Sequence, residues 1–447
     1  MSRSFRLWAT LCALPGLCAM PMAHANMGNT ASTYGVLPSD IASAQALSLF
    51  NSQVSATYYN PAYLARDDRG ELTVGLFHAE HSLEARSLGG PDPIQRSGGN
   101  VLNDDPSQQI LVGMKTNLTS MTRYNKPLYL GFMAGVERFG KEMLAFDATT
   151  SRAGQFFNYG RQPLFLNLGG AMNAWRGIDL GASLRVTLHA NANLDTYSNL
   201  AGETQYESLQ VDAKPVVRPI LGVNVNWGET LRPDQRSWLD GLETAFSYRG
   251  YSNTRTKVNA NAIIPGVIAS PGLQLAIATL DSFQPDIYAL GVQYRFDRLR
   301  VGVTGELQRW SRLEKEFEHD TLRDQANLRF KDVVIPRIGA SYALNDVFTL
   351  TTGLAFESSA LKSDRSLDVN YLDNDRYVLG VGLSAEFKNA PVFAYPLRVD
   401  VGYQHHFLKD REFELTTSDP TVAGNPYERV RSGGDVDVFA LSMTMKF

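Results

Sequence analysis

In the stretch Phe439-Ala440-Leu441-Ser442-Met443-Thr444-Met445-Lys446-Phe447, large apolar side chains alternate with small or polar ones. Successive side chains of a β-strand point to opposite faces, so this pattern predicts a strand with one apolar and one polar face. The same period of two recurs in the segments 178–189, 299–308 and 377–387. The chain is therefore expected to consist mainly of strands.

The composition excludes several classes of protein. The chain has 447 residues, of which 44% are hydrophobic and 20% charged, and its mean hydropathy is −0.20. A polytopic helical membrane protein is excluded, because each helical span needs about 20 consecutive apolar residues. The net charge of −4 shows no basic excess, so no nucleic-acid partner is expected.

The length of the predicted strands favours a transmembrane barrel over a soluble β-sandwich. Both arrangements give the same alternation, but a membrane-spanning strand needs about 9–11 residues, whereas strands of soluble proteins have about five or six. Short connections such as 175–177 alternate with long ones such as 87–107. We therefore expect an all-β fold, a fourteen-stranded antiparallel transmembrane β-barrel in the outer membrane of a Gram-negative bacterium. The predicted strands are 70–86, 108–119, 127–139, 163–174, 178–196, 205–227, 242–260, 284–297, 299–315, 328–343, 347–361, 375–388, 395–415 and 430–447.

Residues 1–25 have the features of a secretory signal peptide. Two arginines give a positive start, residues 7–22 are apolar, and Ala23-His24-Ala25 is a small-residue cleavage site. The two cysteines of the chain, Cys12 and Cys18, both lie in this segment, so the exported protein is expected to contain no disulfide. An alternative is a lipoprotein signal that ends at the second cysteine.

Residues 26–69 precede the first predicted strand and are rich in Ala, Ser and Asn. A short helix is predicted from Ser39 to Phe50. The segment is too short for a separate globular domain, so we expect a small hatch inside the lumen of the barrel formed by residues 70–447. The alternative is a loose periplasmic tail.

Motifs of enzymes and metal sites are missing from the sequence. It has no His-Glu-x-x-His pattern, no Gly-x-Ser-x-Gly elbow and no P-loop. His78 and His81 have opposite parity on a strand, as do His405 and His406, so neither pair shares a face. We expect no enzymatic activity, no cofactor and no metal site.

The uncharged run 263–280 is predicted to be an extracellular loop that contacts a ligand. A short helix is predicted to begin at Ser270 and to place three of the candidate residues on one apolar face. Exposed apolar surface of this kind commonly binds something, although packing onto the loop 140–162 is the alternative. The candidates are Ile264, Leu273, Ile277 and Leu280.

Strand parity places many charged side chains on the lumen face. Arginines there could bind a ligand carboxylate in a bidentate manner, with lumen apolar residues such as Phe165 and Ile220 around its tail. The alternative is that these charges form cross-strand ion pairs that brace the barrel. The candidate arginines are Arg185, Arg218, Arg249 and Arg337.

Four short motifs allow a comparison with a known family. They are Tyr59-Asn60-Pro61-Ala62, the strand Phe348–Ser358 with its Thr-Gly-Leu-Ala-Phe core, Asp373-Asn374-Asp375-Arg376-Tyr377, and Val399-Asp400-Val401-Gly402-Tyr403. The first resembles the Asn-Pro-Ala hatch motif of the FadL/TodX family of outer-membrane transporters, and the others resemble strands near the carboxyl end of its barrel.

The resemblance implies a fourteen-stranded barrel that carries long-chain fatty acids or aromatic hydrocarbons inward. It implies hatch residues Asn60, Pro61 and Ala62, and a lateral exit where the third strand bends. Gly131 and Gly135 are the candidates for this gate, with room for the hatch as the alternative reason for small residues there. The start of the exported chain, at residues 26–29, departs from the aromatic beginning that is common in the family.

The sequence thus predicts passive uptake of a hydrophobic small molecule by a monomer surrounded by outer-membrane lipids. Two other classes of function stay open. One is an adhesin or structural barrel whose loops bind a partner. The other is a general diffusion porin, which would need an open lumen.

Overall fold

The computed structural model describes residues 29–91, 106–121, 123, 127–138, 164–198, 204–264, 268–317, 329–362, 365–367, 373–389, 393–416 and 423–447. The predicted signal peptide lies outside these residues, and so does the predicted loop 140–162. Among the described residues, no helix combines the length and the apolar character needed to cross a membrane.

Within these described residues, seventeen strands form one sheet that closes on itself, because β1 pairs with both β2 and β17. The strands are β1 (Glu71–Gly89), β2 (Ser107–Asn117), β3 (Leu128–Arg138), β4 (Leu164–Trp175), β5 (Ile178–Ser198), β6 (Thr204–Asn226), β7 (Leu242–Arg249), β8 (Ser252–Ile264), β9 (Ile268–Gln284), β10 (Ile287–Arg295), β11 (Leu299–Gln308), β12 (Val333–Ala343), β13 (Phe348–Glu357), β14 (Arg365–Leu367), β15 (Arg376–Phe387), β16 (Leu397–Thr416) and β17 (Glu428–Lys446).

The predicted fourteen-stranded antiparallel barrel is confirmed. Strands β7 and β8 continue one another past a two-residue interruption at 250–251, and β9 and β10 do so past 285–286. Strand β14 has only three residues and adds to β16 in parallel. Apart from this pair and a parallel contact of β8 with β5, the strand pairs are antiparallel. Counting β7 with β8 and β9 with β10 as one strand each, and leaving out β14, gives fourteen strands around the barrel.

The alternation of burial along the strands is that of a barrel with an apolar exterior. On β1, Leu72, Val74 and Leu76 are 40–48% exposed, while the intervening residues Thr73 and Gly75 are buried. In a soluble sandwich the large apolar residues would be the buried ones. The outward apolar surface is therefore the surface that contacts lipid.

Residues 29–69, which we call the hatch, are almost entirely buried inside the barrel. Their helical segments are α1 (Thr30–Thr33), α2 (Pro38–Ala42), α3 (Ala56–Tyr59) and the 3₁₀ turns Ser48–Phe50 and Pro61–Arg66. The predicted single helix from Ser39 to Phe50 is wrong, because Ala44 and Gln45 have positive φ and reverse the chain. The buried Asp40 carboxylate accepts hydrogen bonds from Ser48 Oγ and Asn51 Nδ2, and these bonds hold the reversed chain in place.

The predicted loop conformation with a short helix from Ser270 is also wrong, while the extracellular placement of this segment stays a prediction. Residues 268–284 form β9, which pairs with β8 from Ile264–Ile268 down to Ser252–Gln284. Strand β8 also pairs in parallel with β5 over Ala192–Tyr197. Pairing along the hairpin satisfies the backbone groups of β9 that face β8, and this tertiary context overrides the local helix signal.

Strand ends differ from the predicted ones at several long connections: the predicted strand 328–343 begins at Val333, and 347–361 ends at Glu357. The predicted strand 299–315 ends at Gln308, and a short helix α5 (Arg312–Phe317) follows it. Leu313 of this helix is fully buried among apolar side chains of the lumen, which explains why the chain turns inward there. On the short-turn side, the link 228–241 contains α4 (Trp227–Leu231) and a 3₁₀ turn.

Candidate functional site

The Asn-Pro-Ala motif of the hatch fits into a notch in the barrel wall. Gly181 and Gly222 are paired on β5 and β6, and their inward faces touch residues Asn60, Pro61 and Ala62. Side chains at either glycine would overlap the motif. Asn60 Nδ2 donates to the Leu49 carbonyl at 2.9 Å, which ties the motif to the preceding turn of the hatch. All three predicted hatch residues are therefore fixed between the hatch and the wall.

Two polar residues that follow the motif attach the hatch to neighbouring strands. The Tyr63 hydroxyl donates to Glu243 Oε2 at 2.7 Å and accepts from Gln293 Nε2 at 3.1 Å. Arg66 forms ion pairs with Asp179 at 2.5 Å and with Glu229 at 2.8 Å. The sequence analysis did not identify Tyr63 or Arg66 as contacts between the hatch and the wall. Their position directly after the Asn-Pro-Ala motif was the feature that could have indicated this role.

Two of the predicted lumen arginines, Arg185 and Arg249, lie against Tyr58 of the hatch, and a third, Arg337, contacts the hatch backbone. Arg185 forms an ion pair with Glu137 at 2.8 Å and lies over the Phe165 ring at 4.3 Å. Arg249 pairs with Glu306 and lies 5.1 Å from the Tyr58 ring centre. Arg337 approaches the same glutamate at 4.0 Å and donates to the Ala44 carbonyl of the hatch at 3.1 Å.

The fourth predicted arginine, Arg218, has a different environment. Its guanidinium donates to the carbonyls of Gly250 and Pro285 and lies 3.4 Å from Gln284 Oε1. These partners sit at the two interruptions of the long strand pair. Arg218 thus links the interruption between β7 and β8 to the one between β9 and β10, and it is fully buried.

A large apolar cluster fills the part of the lumen on the long-connection side of the hatch. It includes Tyr34 of the hatch, whose hydroxyl lies 2.6 Å from His81 Nε2 and whose ring meets His406 edge-on. The inward burial of His81 and His406 agrees with the predicted parity. The cluster consists of Tyr34, Ile41, Phe77, Ala79, Leu83, Ala85, Phe283, Leu313, Phe330, Val333, Ile335, Ala360, Leu361, Leu408, Phe413, Leu415, Tyr427, Val430, Val436, Val438 and Ala440.

The opposite end of the lumen is polar. A cavity of about 510 Å³ lies between the hatch and the short-turn ends of the strands, and its lining includes Arg300, Arg398 and Lys446. Burial raises the pKa of Asp40 at its edge, against the lowering by hydrogen bonds from Asn51 and Ser48. Burial also opposes ionisation of Asp67, but the hydrogen bond from Arg69 and the charge of Lys115 outweigh it and lower its pKa to about 2.

The two gate candidates face different neighbours. Gly131 contacts the hatch, since a Cβ there would lie 2.7 Å from Thr57 Cγ2 and 3.1 Å from Leu64 Cδ1. Gly135 faces the Phe165 ring instead. Strand β3 pairs in unbroken register with β2 from Tyr129 to Arg138 and with β4 from Leu128 to Val136. The wall at these glycines is therefore continuous, and their role as a gate stays a prediction.

The candidate ligand residues of the 263–280 run lie on the β8–β9 hairpin. Ile264 pairs with Ile268, Leu273 with Ala262, Ile277 with Val258 and Leu280 with Arg255. The structure thus spreads them along an extended hairpin rather than along one helical face. It does not bring them together with the lumen arginines, which lie beside the hatch.

Comparisons with known proteins agree with this architecture. A family described as outer membrane protein transport protein (OMPP1/FadL/TodX) matches residues 17–447. Alkane uptake protein A of Marinobacter nauticus is 48% identical over 435 residues, which cover 96% of this chain and 93% of that protein. Outer membrane protein P1 of Haemophilus influenzae is 27% identical over 204 residues, 43% of this chain and 40% of that protein.

Two solved structures share the fold. A Pseudomonas aeruginosa FadL homologue superposes with a TM-score of 0.59 at 17% identity, over 95% of this chain and 99% of that one. The toluene transporter TodX of P. putida gives a TM-score of 0.53 at 13% identity, over 93% and 99% of the two chains.

A closed barrel with an apolar exterior and a lumen-filling hatch defines an outer-membrane transport channel. The chain belongs to the OMPP1/FadL/TodX family of outer-membrane transport proteins. The predicted family, the outer-membrane location and the function as a transporter of hydrophobic compounds are confirmed, and the family is one of channels rather than enzymes.

Proposed function

We propose that this protein takes up alkanes and related hydrophobic compounds passively across the outer membrane. The observation that carries the proposal is the division of the lumen into an apolar cluster above the hatch and a polar cavity below it. An alkane gains about 25 cal/mol for each Å² of apolar surface that leaves water, so it would concentrate at the apolar end. The relative with 48% identity is named for alkane uptake, which supports the same ligand class.

Capture begins at the β8–β9 hairpin in this proposal. The hairpin carries the uncharged segment 263–280 and extends beyond the interruptions at 250–251 and 285–286. An extended uncharged surface next to the long-connection end offers a first contact for an oily molecule. Ile264, Leu273, Ile277 and Leu280 are the residues proposed to make this contact.

Release is proposed to occur sideways through the wall near β3. Thr57 and Leu64 of the hatch contact Gly131, so a shift of the hatch would free the inner face of β3 at this position. Glycine residues weaken a strand interior, and Gly131 and Gly135 lie on the same face of β3. The continuous pairing of β3 then represents the closed state of the proposed gate.

A long-chain carboxylate is a second candidate ligand, favoured by the lumen arginines. Within the described part of the chain, Nη1 of Arg185 and Nε and Nη1 of Arg249 are buried without a hydrogen-bond partner. Buried N–H groups of this kind can donate to a carboxylate at a modest desolvation cost, because they are already removed from water. For an alkane, the same arginines would act only through their ion pairs and their contacts with the hatch.

The protein is proposed to act as a monomer among outer-membrane lipids. Strands β1 and β17 of one chain pair from Glu71–Lys446 to Ser87–Val430, so the barrel closes within one chain and needs no strand from a second copy.

The test compares full-length protein with a variant lacking residues 26–62. Cells that cannot take up alkane should accumulate labelled hexadecane when they express the full-length protein. In planar bilayers the full-length barrel should be closed to ions and the deletion should be leaky. Steady conductance through the full-length barrel would indicate a diffusion porin and would contradict the proposal, as would hexadecane uptake no faster than in cells without the protein.

A further inference from the structure

We propose that a basic cleft on the outer rim of the barrel binds the phosphate groups of a glycolipid of the outer leaflet. This rim cleft has a volume of about 390 Å³ and lies at the long-connection ends of β15 and β16. It is lined by Lys331, Ser359, Leu361, Lys362, Asp375, Lys409, Asp410 and Arg411.

One wall of the rim cleft faces the membrane side of the barrel. Tyr377 and Phe407 are paired across β15 and β16, and both are more than half exposed on the outward face. The Lys409 amide donates to the Asp375 carbonyl at 2.8 Å, which continues this ladder by two residues. Side chains two residues apart share a face, so Asp375 and Lys409 point outward about 7 Å above the aromatic pair.

The other wall is a short strand pairing in the connections before β12 and after β13. Phe330 and Leu361 pair with their side chains buried in the lumen cluster. The Lys331 amide donates to the Ala360 carbonyl, and the Lys362 amide donates to the Arg329 carbonyl, each at 2.8 Å. Arg329, Lys331 and Lys362 alternate with the buried pair, so their side chains lie on the outer side, where all three are exposed.

The floor of the cleft is held rigid by Arg411. Its guanidinium donates to Ser359 Oγ at 2.8 Å and to the Leu361 and Asp373 carbonyls at 3.2 and 2.9 Å. These bonds fix the connection after β13 against β16. The cations around the cleft are therefore presented by an ordered backbone.

The charge balance of the cleft leaves room for an anion. Lys362 lies 3.9 Å from Glu314, and Asp375 accepts a hydrogen bond from the Ser359 amide. Among the described residues, neither Lys331 nor Lys409 lies within 4 Å of a carboxylate. The lining of the cleft itself holds four cations, Lys331, Lys362, Lys409 and Arg411, and two carboxylates, Asp375 and Asp410, which leaves a surplus of two positive charges.

The apolar surface below the cleft favours a lipid over a free anion as the ligand, because a free anion would not use it. Val334, Leu354 and Leu379 are at least half exposed on the outward face beneath the basic residues. A molecule that fits both surfaces carries phosphate groups directly above acyl chains, as the phosphorylated glycolipid of the outer leaflet does. Cations next to a membrane surface attract such head groups additively.

The test uses the full-length barrel with the substitutions Lys331→Gln, Lys362→Gln and Lys409→Gln combined. The matched control combines Arg86→Gln, Arg429→Gln and Arg431→Gln, which removes the same charge from exposed cations that pair with Glu84 and Glu412. Each protein is reconstituted with bisphosphorylated lipid A, repurified in detergent, and analysed by native mass spectrometry. Lipid retained by the cleft variant should fall about tenfold, and that retained by the control less than about twofold.

Three outcomes would overturn the proposal. Equal retention by the cleft variant and the wild type is one, and an equal loss in the control is another. The third is release of the lipid by millimolar inorganic phosphate, because the site would then bind free phosphate. If the triple variant fails to fold, Lys409→Gln alone should still lower retention by about twofold to threefold, and dephosphorylated lipid A should be retained by neither protein.

Discussion

Gly181 of β5 lies directly against the peptide that joins Pro61 to Ala62, so that a Cβ on Gly181 would overlap the backbone of both residues. Gly222, its cross-strand partner on β6, makes the same kind of contact with Asn60. The hatch is therefore held by the shape of the wall as well as by hydrogen bonds. Any side chain in this notch has to displace the hatch.

Gly181→Val is expected to open the lumen. Overpacking of a well-fitted contact costs about 1–3 kcal/mol, which shifts the balance between seated and displaced hatch about 5- to 150-fold. Planar-bilayer recordings should show ion conductance that the wild type lacks. Gly305→Val on β11 is the control, because a Cβ at Gly305 meets no atom within 4 Å and faces outward. Conductance in the control equal to that of Gly181→Val would show that the effect comes from the strand and not from the notch.

Glu306→Gln is expected to destabilise the barrel and the hatch together. Glu306 pairs with Arg249 and lies 4.0 Å from Arg337, and all three side chains are buried. Removing one partner of a buried ion pair leaves uncompensated charge and costs about 3–5 kcal/mol. Guanidinium unfolding in lipid vesicles should show a lower free energy of unfolding for this variant. Glu412→Gln removes an exposed partner of Arg429 and Arg431, and its unfolding curve should match that of the wild type.

Much of the barrel could be predicted from the sequence, because apolar and polar residues alternate along each lipid-facing strand and so show which side chains face the membrane. Leu441 and Met443 on β17 are outward as their parity predicts, and Arg249 and Glu306 are inward. Parity alone could not predict that these two side chains pair, because the pairing depends on how β7, β10 and β11 lie in register. The contact between Tyr63 and Glu243 spans 180 residues and was missed for the same reason.

Local signals failed where tertiary contacts compete with them. Ser270 and Pro271 form a helix-start signal, yet the segment pairs with β8 as a strand. The segment from Ser39 to Phe50 has helix-forming composition, yet the buried Asp40 carboxylate bonds to Ser48 and Asn51 across a reversed chain. In both cases hydrogen bonds to distant or reversed partners replace the regular bonds of a helix.

The seating of the hatch is expected to depend on pH through Asp67. Its pKa is lowered from 3.8 to about 2 in the folded protein, so its ionised form stabilises the fold at pH above about 4. This contribution is lost as the pH falls from 3.8 through about 2. Asp67→Asn should therefore raise hydrogen exchange in residues 29–69 at pH 6, and the difference from the wild type should vanish near pH 2. Asp234→Asn, in an exposed turn, is the control and should exchange like the wild type throughout.

Capture of alkane at the β8–β9 hairpin can be tested with single charges. Ile277→Asp and Leu280→Asp each place a carboxylate in the uncharged segment, and a charged group in a contact with hydrocarbon is strongly unfavourable. Uptake of labelled hexadecane should fall about tenfold or more at low concentration, where capture limits the rate, and should recover in part at saturating concentration. Ala276→Asp adds the same charge on the face of β9 opposite to Ile277, the face that Leu280 shares, so comparing Ile277→Asp with Ala276→Asp shows which face of the hairpin contacts alkane. All three positions pair only with β8, beyond the strands that close the barrel, so each variant is expected to fold, and heat-modified migration on gels checks this. If uptake by Ile277→Asp and Leu280→Asp equals that of the wild type, the hairpin does not bind the ligand, and first contact would have to lie in the lumen cluster around Tyr34 and Phe77.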